Sequence, residues 1–382
     1  MSHSAADVAK AASRAFDDLE GFDATQTVHA GTIEATARIR FAKPDRCSVE
    51  YSTYANPFND LEERLAHGVP FVPEELTGMT LAFDGRQSLL LDAGSGTAVL
   101  RSGRHVAEPI PGYQVLCELG FLETLTHDFL VRDAGTETID GRPSLLIGLK
   151  PKTAHRSQLL RAVSFPIRRA VIAFDEESLF PNRIQFFPIA DSIVGSILPA
   201  SHPITISYQR VRAGPPPADA FDLAPPEGTR LFREMHVAVD ALPDETPFRC
   251  NLDALPDHGL SPHRSAGLFA ETDSDRAYVV ASFATTSSLV TLRAGNYLSR
   301  AMARRKARLA EEGDEVKIGA LTGRRLDRGS QMPTSNPERP AQMFDVSWER
   351  DGTFWFLSAD GVDAETLIEI ASDLNSRNAE SA

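Results

Sequence analysis

Cysteine is scarce in this chain: 382 residues carry three, Cys47, Cys117 and Cys250. They are too few and too scattered for a disulfide framework, and none stands at the paired spacing of a metal site, so buried free thiols are expected. Long apolar runs are missing too. No segment approaches the roughly 20 apolar residues that cross a bilayer as a helix, so the chain is not expected to be transmembrane. Met1 to Leu19 has no basic region followed by an apolar run, so the sequence as given shows no export signal, and at face value a soluble cytoplasmic protein is expected. Positive charge is in deficit, since 39 Lys and Arg against 53 Asp and Glu leave a net charge of −14. That balance repels a phosphate backbone, and no nucleic-acid partner is expected.

Enzyme signatures are absent as well. Gly94-Ser95-Gly96 lacks the glycine spacing, the lysine and the helix of a phosphate-binding loop, and reads as a hairpin turn. No Gly-x-Ser-x-Gly elbow and no His-Glu-x-x-His motif occurs. His258 and His263, with Asp253 and Asp257, form a local cluster of ligand-type side chains, but two prolines and a glycine between Asp253 and His263 make it a solvated loop. No catalytic residue, metal or cofactor is therefore expected. An enzyme with an unfamiliar site would need His127 or His155 brought beside a carboxylate and a nucleophile.

What the chain does have is alternation. In Arg38 to Tyr51 apolar and polar residues alternate on both sides of a Lys-Pro-Asp-Arg turn. Ile39, Phe41, Cys47, Val49 and Tyr51 point to one face of a hairpin, and Arg38, Arg40, Ser48 and Glu50 to the other. The pattern recurs at Leu81/Phe83, Leu145/Ile147/Leu149, Ile184/Phe186 and Ile204/Ile206/Tyr208, with Asp84-Gly85 and Asp140-Gly141 as hairpin turns. The first half is thus a curved antiparallel sheet with an apolar concave face. Ser4 and Asp7 form a capping pair for an opening helix with Val8, Ala12, Ala15, Phe16 and Leu19 on one face, ending near Gly21. Asn56 to Thr77 and Tyr113 to Leu130 read as short helices or long loops across the sheet, placed to act as a lid.

Prolines at 215–217 and 225–226 mark the end of this part. The expected division is a first domain over residues 1–234 and a second over 235–382. The second contains strand-like runs at Ala277 to Phe283, Leu289 to Leu292 and Phe344 to Trp348, a hairpin turning at Asp351-Gly352, and a helix from about Asp363 carrying Leu367, Ile370, Ala371 and Leu374 on one face. Trp348 and Trp355 flank that turn and are expected to pack as cross-strand core neighbours. Between Tyr297 and Glu312, Arg300, Arg304 and Arg308 stack on one helical face. They are the candidate contact for an anionic surface or acidic partner, set against a plain solvated face with Leu298, Met302 and Leu309 docking the helix on its own sheet.

An ordered series of segments carries a family resemblance: the opening helix leading into GFDATQTVHAGTI, then RIRFAKPDR, LAFDGRQSLLLD, IDGRPSLLIGLKPK, AVIAFDEESLFPNRIQF, ITISYQRV and FDLAPPEGTRLF, covering Gly21 to Phe232. In this order they resemble the LolA-like superfamily of lipoprotein carriers and RseB-type stress sensors. Met343 to Leu374 looks like a small uncharacterised α+β module. The resemblance implies an α+β protein, with a curved antiparallel half-barrel under a helical lid followed by a smaller α+β domain, and it favours the cell envelope. It also fits a non-enzymatic binding protein for an acyl chain or lipidated partner, with the second domain docking a protein; the alternating residues Ile39, Phe41, Val49, Tyr51, Phe83, Ile147, Phe186 and Ile206 are the candidate lining, and each could equally be plain core. The alternative is a protein-interaction or envelope-sensing module with a packed interior and no lipid.

Overall fold

The computed structural model describes residues 4–30, 33–55, 78–102, 122, 125–152, 167–188, 203–262, 266–285, 288–328 and 343–380. The described residues up to Glu227 form one compact unit and those from Gly228 a second.

The first unit opens with helix α1 (Ala5–Asp18), whose Ser4 side chain accepts the Asp7 amide, as the capping pair predicts. Its buried face is Val8, Ala9, Ala12 and Phe16. Strands β1 (Gly21–Ala30), β2 (Ile33–Ala42), β3 (Arg46–Ala55), β4 (Met79–Phe83), β5 (Gln87–Asp92) and β6 (Thr97–Ser102) follow as an antiparallel meander. A short helix, α2 (Leu125–Asp128), leads into β7 (Phe129–Ile139), β8 (Arg142–Pro151), β9 (Ile167–Asp175), β10 (Pro181–Pro188) and β11 (Ile204–Ala213), again antiparallel. The last strand, β11, pairs with the first, β1, so the order is β6-β5-β4-β3-β2-β1-β11-β10-β9-β8-β7. The sheet is open: β6 and β7 lie at its two ends, as in a half-barrel.

The alternation expected from sequence becomes rungs of apolar side chains running across the strands. One joins Ile147, Ile172, Ile184, Ile206, Val28 and Ala35 from β8 to β2, and another joins Ala24, Ile39, Val49, Leu81, Leu90 and Val99 from β1 to β6. All are buried, and each large aliphatic side chain removed from water contributes about 1.5–3 kcal/mol. The opposite face carries Arg38 paired with Asp23 and Arg40 paired with Glu50. It is not solvated throughout, because the turn Ala218–Phe221 packs on β3 and β4, and Ser48 is buried there with Ala82. Asp140 and Gly141 both take positive φ, the geometry of a tight hairpin turn.

In the second unit, β12 (Arg230–Val237), β13 (Ser261–Pro262), β14 (Ala266–Glu271), β15 (Ala277–Ala284), β16 (Leu289–Gly295), β17 (Asp314–Ile318), β18 (Leu321–Asp327), β19 (Met343–Arg350) and β20 (Thr353–Asp360) form an antiparallel sheet ordered β12-β14-β15-β16-β20-β19-β18-β17, with β13 on β15. Strand β12 spans the boundary expected near residue 235 and pairs along its length with β14. A single turn, α3 (Leu242–Glu245), precedes the sheet's interior strands, and two longer helices cover its two faces. Helix α4 (Arg300–Glu312) lies over Phe354 and Phe356, and α5 (Ala364–Glu380) packs Leu367, Ile370, Ala371 and Leu374 against Trp348, Trp355 and Leu357. The two tryptophans stack at 5.6 Å, as expected of cross-strand core neighbours. Asp351-Gly352 forms the turn between their strands. Cys47 and Cys250 are buried free thiols, and burial pushes the Cys250 thiol up to about 12; Cys117 lies outside the described residues.

Candidate functional site

The apolar face of α1 does not end in solid packing. Val8, Ala12 and Phe16 are buried, and Ala15, Phe16 and Leu19, from the same face, line a cavity of about 610 Å³. That volume lies within the range typical of small-molecule sites. The helix end is held by the β2–β3 turn, where Lys43 Nζ donates to the Phe16 carbonyl at 2.8 Å and the Asp17 carbonyl at 2.7 Å, a C-terminal cap that also answers the helix dipole. A side chain at Gly21, where the chain enters β1, would collide with the Phe41 carbonyl, so glycine is needed for the helix to turn directly into the sheet.

The facing wall is the β9–β10 hairpin. Asp175 Oδ1 accepts from the Glu177 amide, the Ser178 amide and Ser178 Oγ at 3.2, 2.8 and 2.9 Å, closing the turn. Burial alone would raise its pKa. The hydrogen bonds from Ser178 and Glu177 and the nearby charge of Arg142 outweigh that and hold the carboxyl below its ordinary value. Leu179 then takes a left-handed φ of 55°. That is an uncommon conformation for a bulky side chain and costs roughly 1–2 kcal/mol. Its reward is position, since Leu179, Phe180 and Pro181 all face the cavity.

The floor comes from strand ends. Val211 and Ala213 contribute from β11, and Arg142 and Pro143 from the start of β8. Asn182 is buried and donates to Ser144 Oγ at 3.1 Å across the sheet. On β11 two residues, Arg210 and Val211, stand opposite Ala24 where the β1 register shifts, and Arg210 has a φ of 55°. Such a bulge redirects the side chains beside it. A second cavity of about 290 Å³ adjoins the first and shares Arg142, Asn182 and Val211 with it.

Rings connect the cavity wall to the sheet interior. Phe180 sits edge-on to Tyr208 at 5.6 Å and to Phe22 at 5.1 Å; Phe22 meets Phe41 at 5.7 Å, and Phe41 stacks on Phe16 at 6.4 Å. Phe41 is thus one ring behind the wall. The other candidates, Ile39, Val49, Tyr51, Phe83, Ile147, Phe186 and Ile206, are buried in the sheet, none more than 3% exposed, and the residues bordering the 610 Å³ cavity do not include them. Sequence reasoning placed Ala15, Phe16 and Leu19 on the helix face but did not single out Leu179, Phe180, Arg142, Asn182 or Val211. The turn signature Asp-Glu-Glu-Ser ahead of Leu179 was the available signal.

Elsewhere, Met302 and Leu309 are buried, as the docked-helix reading expects. Arg308 pairs with Glu312 within the same helix, Arg304 is exposed on it, and the Arg300 side chain lies outside the described residues. His258 faces Asp373 at 2.9 Å and Asp257 pairs with Arg377; His263 falls outside the described residues. His127 contacts Asp128 at 2.9 Å, and His155 is likewise outside. Of the two expected lid segments, Asn56 to Thr77 lies outside the described residues, and Tyr113 to Leu130 is described only at Leu122 and from Leu125, where α2 runs into β7. No helix of the described residues is long and apolar enough to cross a membrane.

No protein-family model and no curated protein sequence matches the chain. Among solved structures it is similar to the MucA/MucB complex of Pseudomonas aeruginosa (11% identity, 96% of each chain covered, TM-score 0.30). It is also similar to the Mycobacterium tuberculosis lipoprotein LppX (14% identity, 56% of this chain and 96% of that one, TM-score 0.34). A third is a LolA superfamily protein of Nitrosomonas europaea (12% identity, 58% of this chain and 98% of that one, TM-score 0.26).

Proposed function

We propose that the first unit is a non-catalytic binding module that holds the acyl chain of a lipid or lipidated partner, with the chain entering the 610 Å³ cavity between the end of α1 and the β9–β10 hairpin. The observation that carries this reading is the make-up of the wall. Ala15, Phe16, Leu19, Leu179, Phe180 and Val211 converge on it from three separate parts of the unit, and Leu179 does so at the cost of a left-handed backbone. An alkyl chain is retained by excluded water and needs few directed polar groups. Two of the polar groups at the rim shape the site: Asp175 closes the hairpin and Asn182 ties β10 to β8. Of the residues singled out by alternation, Phe41 backs the wall through Phe16 and Phe22, and the other seven make the buried sheet face on which the site is built.

Filling the cavity tests the proposal. Ala15 is half-buried on a helix, so Ala15→Trp is expected to preserve the fold while weakening uptake of a fluorescent fatty acid by roughly tenfold or more, the loss of a buried alkyl segment. Unchanged uptake in a folded Ala15→Trp protein would place the ligand somewhere else.

A further inference from the structure

The two adjoining cavities differ in the sign of the charge around them. Around the larger one, Asp175, Glu176 and Glu177 stand with a single cation, Arg142. Around the smaller one, of about 290 Å³, Arg142 and Arg210 stand with a single anion, Asp140. The Asp140 carboxylate already accepts a hydrogen bond from Gln209 at 3.3 Å. The two spaces border the same three residues, Arg142, Asn182 and Val211; the larger has an apolar wall with a carboxylate rim, and the smaller has two arginines.

From this we infer that the ligand is an amphiphile with an anionic head, its alkyl chain in the larger cavity and its phosphate or carboxylate in the smaller one between Arg142 and Arg210. The inference rests on the acyl-binding reading and adds the head to it. Backbone strain supports it independently of charge. The β11 bulge holds Arg210 at a φ of 55° and sets Val211 in the wall common to both spaces, just as the φ of 55° at Leu179 serves the larger space. Residues held in such conformations concentrate at ligand sites, where the surrounding structure offsets their cost. Guanidinium groups suit the task because their forked donors match the geometry of phosphate and carboxylate oxygens. An anionic head turned the other way would meet Glu176 and Glu177.

The test uses the full chain and three probes that share one alkyl chain, dodecyl phosphate, dodecanol and dodecyltrimethylammonium, each titrated calorimetrically below its micelle concentration. Dodecyl phosphate is expected to bind most tightly, by about tenfold over the ammonium probe. Arg210→Gly removes the charge and suits the left-handed φ, so the protein should stay folded. It is expected to weaken dodecyl phosphate about fivefold to tenfold more than it weakens dodecanol, and Arg210→Asn, which also tolerates that conformation, should do the same. Equal affinity for all three probes, or an equal loss across them in both variants, would overturn the head assignment while leaving acyl binding in place. Failure of all three to bind would overturn both.

Discussion

The two units solve the same problem, covering an antiparallel sheet, in different ways. In the second unit β20 reads Thr-Phe-Trp-Phe-Leu-Ser-Ala, and every one of these residues is buried, because α5 seals one face and α4 the other. In the first unit β11 alternates buried Ile204, Ile206 and Tyr208 with half-buried Thr205 and Ser207, the pattern of a sheet with one apolar face. Helix α1 has 14 residues, about 21 Å of length, and it touches both β8 and, through Phe16, β2. Those strands are separated by β9, β10, β11 and β1, or about 24 Å along the sheet. Among the described residues α1 crosses the apolar face, and the 610 Å³ cavity lies at its C-terminal end. Both faces of the second sheet are covered by helices, and in the first unit a cavity remains beside the end of α1.

Core truncation should break the comparison most strongly. Trp355→Ala in the second unit is expected to cost about 3–5 kcal/mol and Ile206→Ala in the first about 2–5 kcal/mol, read by chemical denaturation. Neither residue borders the cavity, so folded protein of either variant should still take up a fluorescent fatty acid. Loss of uptake in Ile206→Ala at temperatures where the protein is folded would move the ligand onto the apolar rungs.

A smaller effect, of opposite sign, is expected at Leu179. Replacing it with glycine relieves a left-handed conformation and should stabilise the first unit by about 1 kcal/mol, while removing part of the cavity wall and weakening fatty-acid binding several-fold. A destabilised Leu179→Gly protein with full affinity would show that the side chain serves packing alone.

The smallest effect concerns pH. The folded pKa of Asp175 is held below its ordinary 3.8, so its contribution is fully present above that value and is lost as pH falls through the folded value. Asp175→Asn should therefore flatten the fall in stability of the first unit below about pH 4. An unchanged acid profile would assign that fall to other carboxylates such as Asp23, which a hydrogen bond from Arg38 holds low in the same way.

Much of this comparison was legible in the sequence. Period-two alternation marked the strands that carry Ile39, Val49, Ile147 and Ile206, the Asp-Gly pairs at 84, 140 and 351 marked hairpins, and the spacing of Val8, Ala12 and Phe16 marked α1. The site was much less legible. Alternation identifies which side chains share a face, but it does not say where a cavity remains beside that face. The cavity depends on β11 returning to pair with β1, a long-range contact without a local signature, and on positive φ at Leu179 and Arg210, which residue type does not announce when the residue is not glycine. The eight candidates that alternation singled out are buried in the sheet, and Phe41 among them contacts Phe16, which borders the 610 Å³ cavity.

The most direct measurement is native mass spectrometry of the purified protein, with an organic extract of the same sample analysed for lipids and the Ala15→Trp protein run beside it. The account predicts one acyl-bearing amphiphile per chain in the parent protein, absent or strongly depleted in the variant. Ligand-free parent protein that also fails to take up dodecyl phosphate would contradict it.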